Sequence, residues 1–244
     1  LKTADLIIAN TSENISLKKE LLGKIAQNVS PDTLIAINSE SYSLEDLQEG
    51  FPNPEALMVL NWVYPAHHTF FLEVITNSQT KTEPVTALMQ LAKESWGKDP
   101  YLLKNGKGIR SRLLAAMARE SFYLIDNGYA EPIDIDRACR NDPGYYLPFA
   151  GNFRYMDLMG TFIYGVVMKD LNPELSREKV PSKLMASKIS EGKLGMANRE
   201  GFYSYTRKEA ETFEEEFLKF NEKIKMLMER YPFISENNPQ QANP

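Results

Sequence analysis

Both histidines of the chain, His67 and His68, fall in one stretch, residues 57–74 (LMVLNWVYPAHHTFFLEV), which also holds Asn61, Tyr64, Pro65 and Glu73. Imidazole changes charge near neutral pH, and a nearby carboxylate can orient it. These residue types therefore read as parts for general acid–base chemistry. The stretch divides into an apolar run, a polar loop and a second apolar run that carries the carboxylate. Glu40, in the polar run 38–41 (NSES), is a second candidate base. A carboxyl held in a dry crevice becomes less acidic and able to accept a proton. For both histidines and for Glu40, a solvated loop position is the competing reading.

Strands are needed to position these groups. Residues 5–9 (DLIIA) have the branched apolar character of a buried parallel strand and end in Asn10, Thr11, Ser12 and Glu13. Leu17, Leu21, Leu22 and Ile25 recur at helical spacing over 14–27, and Ser30, Pro31 and Asp32 stop that helix. A second strand is expected over 33–37 (TLIAI), followed by the polar run 38–41. Ser43 with Asp46 reads as the N-cap of a short helix. Two further strands come from 57–74, a helix from 82–96 and a last short strand from 100–104. Such alternation implies an α/β sheet, part of it parallel. Ligands of open α/β sheets bind beyond the carboxyl ends of the strands. The polar runs 11–13, 38–41 and 61–65 are therefore expected to border one crevice.

From residue 105 the pattern is wholly helical. Helices are expected over 109–126, closed by Asn127 and Gly128, then over 133–140, over 152–168 as one apolar buried helix, and over 182–190. Tyr145 and Tyr146 read either as core aromatics or as the lining of an acyl pocket. Thr206 and Glu209 make a capping box. The helix that follows carries Phe213, Phe217, Phe220, Ile224 and Leu227 as an apolar stripe, suited to packing or a subunit interface. The tail after Tyr231, rich in Pro, Asn and Gln, reads as loose. The chain is thus expected to divide into an α/β part, 1–104, and an all-helical part, 105–244.

A net charge of −5 argues against nucleic acid as a partner, because phosphate binding needs clustered Lys and Arg. The single cysteine, Cys139, cannot form an internal disulfide, which suits a reducing compartment such as the cytoplasm. No run approaches the roughly 18 consecutive apolar residues of a membrane span. No metal site is expected.

Seven segments, in order, resemble one family. Residues 4–8 (ADLII) with Glu13 and Lys18 are similar to its ADLVIEAVPE…LK stretch, residues 34–44 (LIAINSESYSL) to its LASNTSSLSI loop, and residues 61–73 (NWVYPAHHTFFLE) to its HFFNP segment and the glutamate beyond. Arg112, Leu113 and Leu114 match the start of its first C-terminal helix, and residues 131–138 (EPIDIDRA), 149–160 (FAGNFRYMDLMG) and 192–205 (GKLGMANREGFYSY) follow its later motifs. The chain resembles the 3-hydroxyacyl-CoA dehydrogenases, a family that includes lambda-crystallin-like members. The resemblance implies a Rossmann-type NAD-binding domain followed by a helical domain like the C-terminal domain of 6-phosphogluconate dehydrogenase. It further implies NAD as cofactor, an acyl-CoA or small hydroxy acid as substrate, and a homodimer formed through the helical domain.

Carried over residue by residue, the family's orienting glutamate falls on Glu73, its catalytic histidine on Asn61, its substrate-holding serine on Glu40 and its asparagine on Ser111. On the cofactor side Glu13, Lys18 and Asn38 match, and Tyr64 takes the place of a second asparagine. An amide at the base position implies that the family's reaction is impaired, and a non-enzymatic binding or scaffolding relative is the alternative. The Gly-rich turn that cradles a pyrophosphate is not among these residues. The chain opens at Leu1 on a strand-like run, so it is expected to begin partway through the NAD-binding domain.

Overall fold

The computed structural model describes residues 1–232. The expected loose tail after Tyr231 lies, from residue 233 on, outside the described residues. Two compact units divide at residues 113 and 114.

The first unit is built on a five-stranded sheet: β1 (Leu6–Ala9), β2 (Leu34–Ile37), β3 (Leu57–Asn61), β4 (Phe71–Ile75) and β5 (Asp99–Leu103), side by side in that order. β1, β2 and β3 run parallel, β4 turns antiparallel to β3, and β5 runs parallel to β4. The chain reverses at β4 because only the short loop 62–70 separates it from β3, too short for the crossover that a parallel partner requires. The residues after β3 and those at the start of β4 and β5 consequently lie at the same end of the sheet as the ends of β1 and β2.

Side chains alternate between the two faces of the sheet. Ile35, Ile37, Leu57, Val59 and Ile75 pack with Leu22 and Ile25 of α1 (Ile15–Ala26) and Leu44 and Leu47 of α2 (Leu44–Gln48). Leu34, Ala36, Met58, Leu60, Leu72 and Val74 pack with Val85, Leu88 and Ala92 of α3 (Thr82–Trp96). The N-cap expected at Ser43 is present and is part of a full capping box: its hydroxyl accepts from the Asp46 N–H, and Asp46 accepts from the Ser43 N–H.

The second unit is helical: α4 (Arg110–Asp126), which starts in the first unit, then α5 (Pro132–Asn141), α6 (Pro143–Met159), α7 (Thr161–Leu171), α8 (Lys183–Ser190) and α9 (Arg207–Arg230). Two expectations are corrected here. The single helix over 152–168 is two, α6 and α7, separated by Gly160 at φ 102, a conformation that side-chain-bearing residues rarely adopt. It is also not buried: Phe153 is 78% and Phe162 80% exposed. Tyr145 is not core, being 82% exposed, whereas Tyr146 stacks face to face on Tyr155 with centroids 3.7 Å apart. No described helix is long and apolar enough to cross a membrane.

Candidate active site

Two asparagines at strand ends build the site. The Ser39 N–H donates to Asn61 Oδ1 at 2.9 Å, and Asn61 Nδ2 donates back to the Ser39 carbonyl at 2.8 Å. Asn38 does the same one strand over, accepting from the Thr11 N–H at 3.0 Å and donating to the Thr11 carbonyl at 3.4 Å. A primary amide offers a donor and an acceptor side by side, like a peptide group, so each extends the hydrogen-bonding of the parallel sheet past its last ladder position. The ends of β1, β2 and β3 are stapled together in this way, and the polar runs after them share one rim.

Asn61, Glu73 and Tyr101 form a row across the sheet. Register pairs Asn61 with Glu73 and Glu73 with Tyr101, so the three side chains project from one face. Asn61 Nδ2 reaches Glu73 Oε2 at 3.1 Å and the Tyr101 hydroxyl donates to Glu73 Oε1 at 2.9 Å. The N–H groups of Ile109 and Arg110, at the start of α4, donate to the same Oε1 at 2.9 and 3.3 Å. Glu73 is wholly buried, and these donors replace the water it has lost. Burial, then the hydrogen bond to Glu73 and its charge, push the Tyr101 phenol well above the ordinary tyrosine range, so it remains a hydrogen-bond donor at neutral pH. Gly108 leaves the room this carboxylate needs: a Cβ there would lie 2.5 Å from Glu73 Oε2.

Around the loop 39–41 a second carboxylate is held by backbone donors. Glu13 accepts from the N–H of Ser41 at 2.8 Å and of Glu40 at 3.1 Å, and pairs with Lys18 at 3.1 Å. Lys18 Nζ also donates to the Asn38 carbonyl at 2.6 Å, and its side chain has no exposed surface. Burial pushes the Glu13 carboxyl up, but the Ser41 N–H, the Lys18 ammonium and the Glu40 N–H outweigh it and hold it below the ordinary carboxylate range. Glu40 turns the other way and pairs with Arg110, Oε1 to Nη1 at 2.9 Å. The Arg110 guanidinium lies 5.8 Å over the Phe71 ring, which packs edge-on against Tyr101.

The structure therefore brings together Asn61, Glu73, Glu40, Glu13, Lys18 and Asn38. Ser111 stands half-buried in the first turn of α4, beside Arg110. Tyr64 is 64% exposed and joined to Pro65 by a cis peptide bond. His67 and His68 occupy a single 3-10 turn, their rings 4.0 Å apart, and Lys98 donates to the carbonyls of Ala66 and Thr69 that flank them. Sequence reasoning missed Tyr101, Arg110 and Gly108. Tyr101 and Arg110 enter the site through strand register and the entry of α4, which no local pattern records.

Residues 1–106 match the model of the 3-hydroxyacyl-CoA dehydrogenase NAD binding domain, and residues 109–205 match that of the 3-hydroxyacyl-CoA dehydrogenase C-terminal domain. The chain is 29% identical over 215 residues to the 5-formyl-3-hydroxy-2-methylpyridine 4-carboxylate 5-dehydrogenase of Mesorhizobium japonicum, covering 87% of this chain and 69% of that one. It is 30% identical over 207 residues to a probable 3-hydroxyacyl-CoA dehydrogenase of Caenorhabditis elegans, covering 84% and 68%. A crystal structure of a 5-formyl-3-hydroxy-2-methylpyridine 4-carboxylic acid 5-dehydrogenase, described as an NAD-dependent dismutase, superposes with a TM-score of 0.87 at 28% identity over 93% of this chain and 74% of that one. Two family domains matched in order, and a relative at this identity covered over two thirds of its length, are a family's signature: the chain belongs to the 3-hydroxyacyl-CoA dehydrogenases.

Proposed function

We propose that this chain is an NAD-dependent oxidoreductase of a 3-hydroxyacyl-CoA or related small hydroxy acid, with low turnover because Asn61 holds the place of the general base. The observation that carries the reading is the bonding of Asn61. Its amide joins the Ser39 backbone to Glu73 and is 2% exposed. An amide takes no proton at neutral pH, and the loss of a positioned base costs about 10²–10⁴-fold in rate. Glu73, the orienting carboxylate of the resemblance, here orients an amide and a phenol. Glu40 and Ser111 take the places of the serine and asparagine that would hold substrate oxygen.

NAD, when bound, supplies the hydride acceptor. Glu13, Asn38 and Tyr64 fit the rim it would border, at the ends of the parallel strands. Lys18 acts through that rim, tying Glu13 to the Asn38 carbonyl from within. The name of the Mesorhizobium relative, a dehydrogenase of a pyridine carboxylate, supports a small acid as substrate, and that of the Caenorhabditis relative supports a thioester. The reading includes a homodimer formed through the helical unit and residence in a reducing compartment.

The second reading is a non-enzymatic binding or scaffolding protein. It is favoured by the same amide, whose donors and acceptor are engaged in a structural staple. Calorimetry of the full-length protein with NADH, followed by a hydride-transfer assay on acetoacetyl-CoA, separates the two. NADH binding is expected, with turnover well below the ordinary range of about 1–10³ s⁻¹. Asn61→His combined with Glu40→Ser is expected to raise turnover by about tenfold or more. Absence of NADH binding by the full-length protein would sink the first reading, and ordinary turnover in it would show that the base lies elsewhere.

A further inference from the structure

The Glu40–Arg110 pair has a geometry that suits exchange. It is a single contact, Oε1 to Nη1 at 2.9 Å, with 37% of the Glu40 side chain and 32% of the Arg110 side chain exposed. Ion pairs this open to solvent are weakly held. A guanidinium presents five donors in a planar fork and binds a carboxylate best through two parallel bonds, which Glu40 does not supply. Arg110 itself is fixed at its root. Its backbone N–H is bonded to the buried Glu73, and its guanidinium lies over Phe71, which is braced edge-on by Tyr101. The pair stands beside the Asn61–Glu73–Tyr101 row, at the sheet end where open α/β folds bind their ligands.

We propose that Arg110 recognises the carboxylate of a small acid substrate, and that Glu40 is its resting partner, displaced when the substrate's two oxygens engage the guanidinium. This deepens the oxidoreductase reading, on which it rests, by giving the substrate a carboxylate close to the reacting centre. Glu40 holds one donor of the fork in the free protein, so the positive charge is never left bare. It leaves as a singly bonded, solvent-facing side chain able to re-hydrate.

The test uses two acids, 3-hydroxybutyrate and pyridine-4-carboxylate, each against its own amide, with affinities for the full chain measured by ligand-observed NMR without cofactor. At least one acid is expected to bind about tenfold or more tighter than its amide. Arg110→Met abolishes that preference and Arg110→Lys keeps part of it. Glu40→Gln tightens acid binding several-fold by removing the competitor. Should Arg110→Met fail to fold, by circular dichroism, the Arg110→Lys and Glu40→Gln variants still decide. Equal binding of acid and amide, binding of neither, an unchanged preference in Arg110→Met, or weaker acid binding in Glu40→Gln would each overturn the proposal. An NADH titration of the full-length protein, run alongside, keeps the two readings apart. Acid preference without NADH binding sinks the dehydrogenase and leaves the carboxylate site, whereas NADH binding without acid preference sinks the site alone.

Discussion

Glu73 is wholly buried, and its neighbours are arranged so that this costs little. One oxygen takes the Tyr101 hydroxyl and two backbone N–H groups, and the other takes the Asn61 amide. The arrangement has no slack on the side of Gly108, where any Cβ meets the carboxylate at 2.5 Å. Gly108→Ala is therefore expected to destabilise the fold by about 1–3 kcal/mol, as overpacking does. Urea unfolding measures this, and a variant as stable as the native chain would show that the carboxylate can move aside. Glu13 makes a prediction in pH. Its carboxyl is held below its ordinary value of 4.5, so its contribution is fully present above that pH and is lost as the pH falls through the folded value. Glu13→Gln leaves the buried Lys18 without its counter-charge. At pH 7 the expected loss is about 1–3 kcal/mol, below the fully buried case because Glu13 keeps part of its side chain in solvent. The gap between the native and Glu13→Gln midpoints should hold from pH 7 down to about pH 5 and shrink as the pH falls below 4.5, and a gap that stayed constant down to acid unfolding would refute the assignment.

Among the elements, α2 is the one whose local chemistry most directly serves the site. It follows the loop 39–41 immediately and anchors it through Leu44 and Leu47, buried to 0% and 1% exposure. Both ends of the Ser43–Asp46 capping box are made. Ser43→Ala is expected to cost about 1 kcal/mol. It should lower the urea midpoint without changing the slope, and an unchanged midpoint would mean that packing alone sets where α2 begins. The strands were legible as short branched apolar runs, α1 and α3 as apolar helical stripes, and α2 by its Ser43 N-cap, because each of these signals is local. The break between α6 and α7 was not. The apolar run continues through Gly160, and hydropathy does not register a backbone angle.

For the whole molecule, the open question is what covers the helical unit. Among its described residues only Ala150 and Ser176 are buried, while Phe153, Phe162, Phe213 and Phe220 are each more than half exposed. Exposed aromatics of this kind usually mark an interface. Light scattering is expected to give about twice the chain mass of 27.8 kDa, reduced to that mass by Phe213→Glu with Phe220→Glu. A monomeric native chain would remove the dimer from the proposed function. The sequence by itself determined the α/β-then-helical order, the family and the stretch holding Asn61 and Glu73, because burial periodicity and short motifs are local properties. It located Asn38 and Asn61 but did not show them as staples between strand ends, and it gave no sign of Tyr101 or Arg110. Those roles were decided only in three dimensions. Strand register set Tyr101 beside Glu73, and the start of α4 brought Arg110 to Glu40, 70 residues away in the chain.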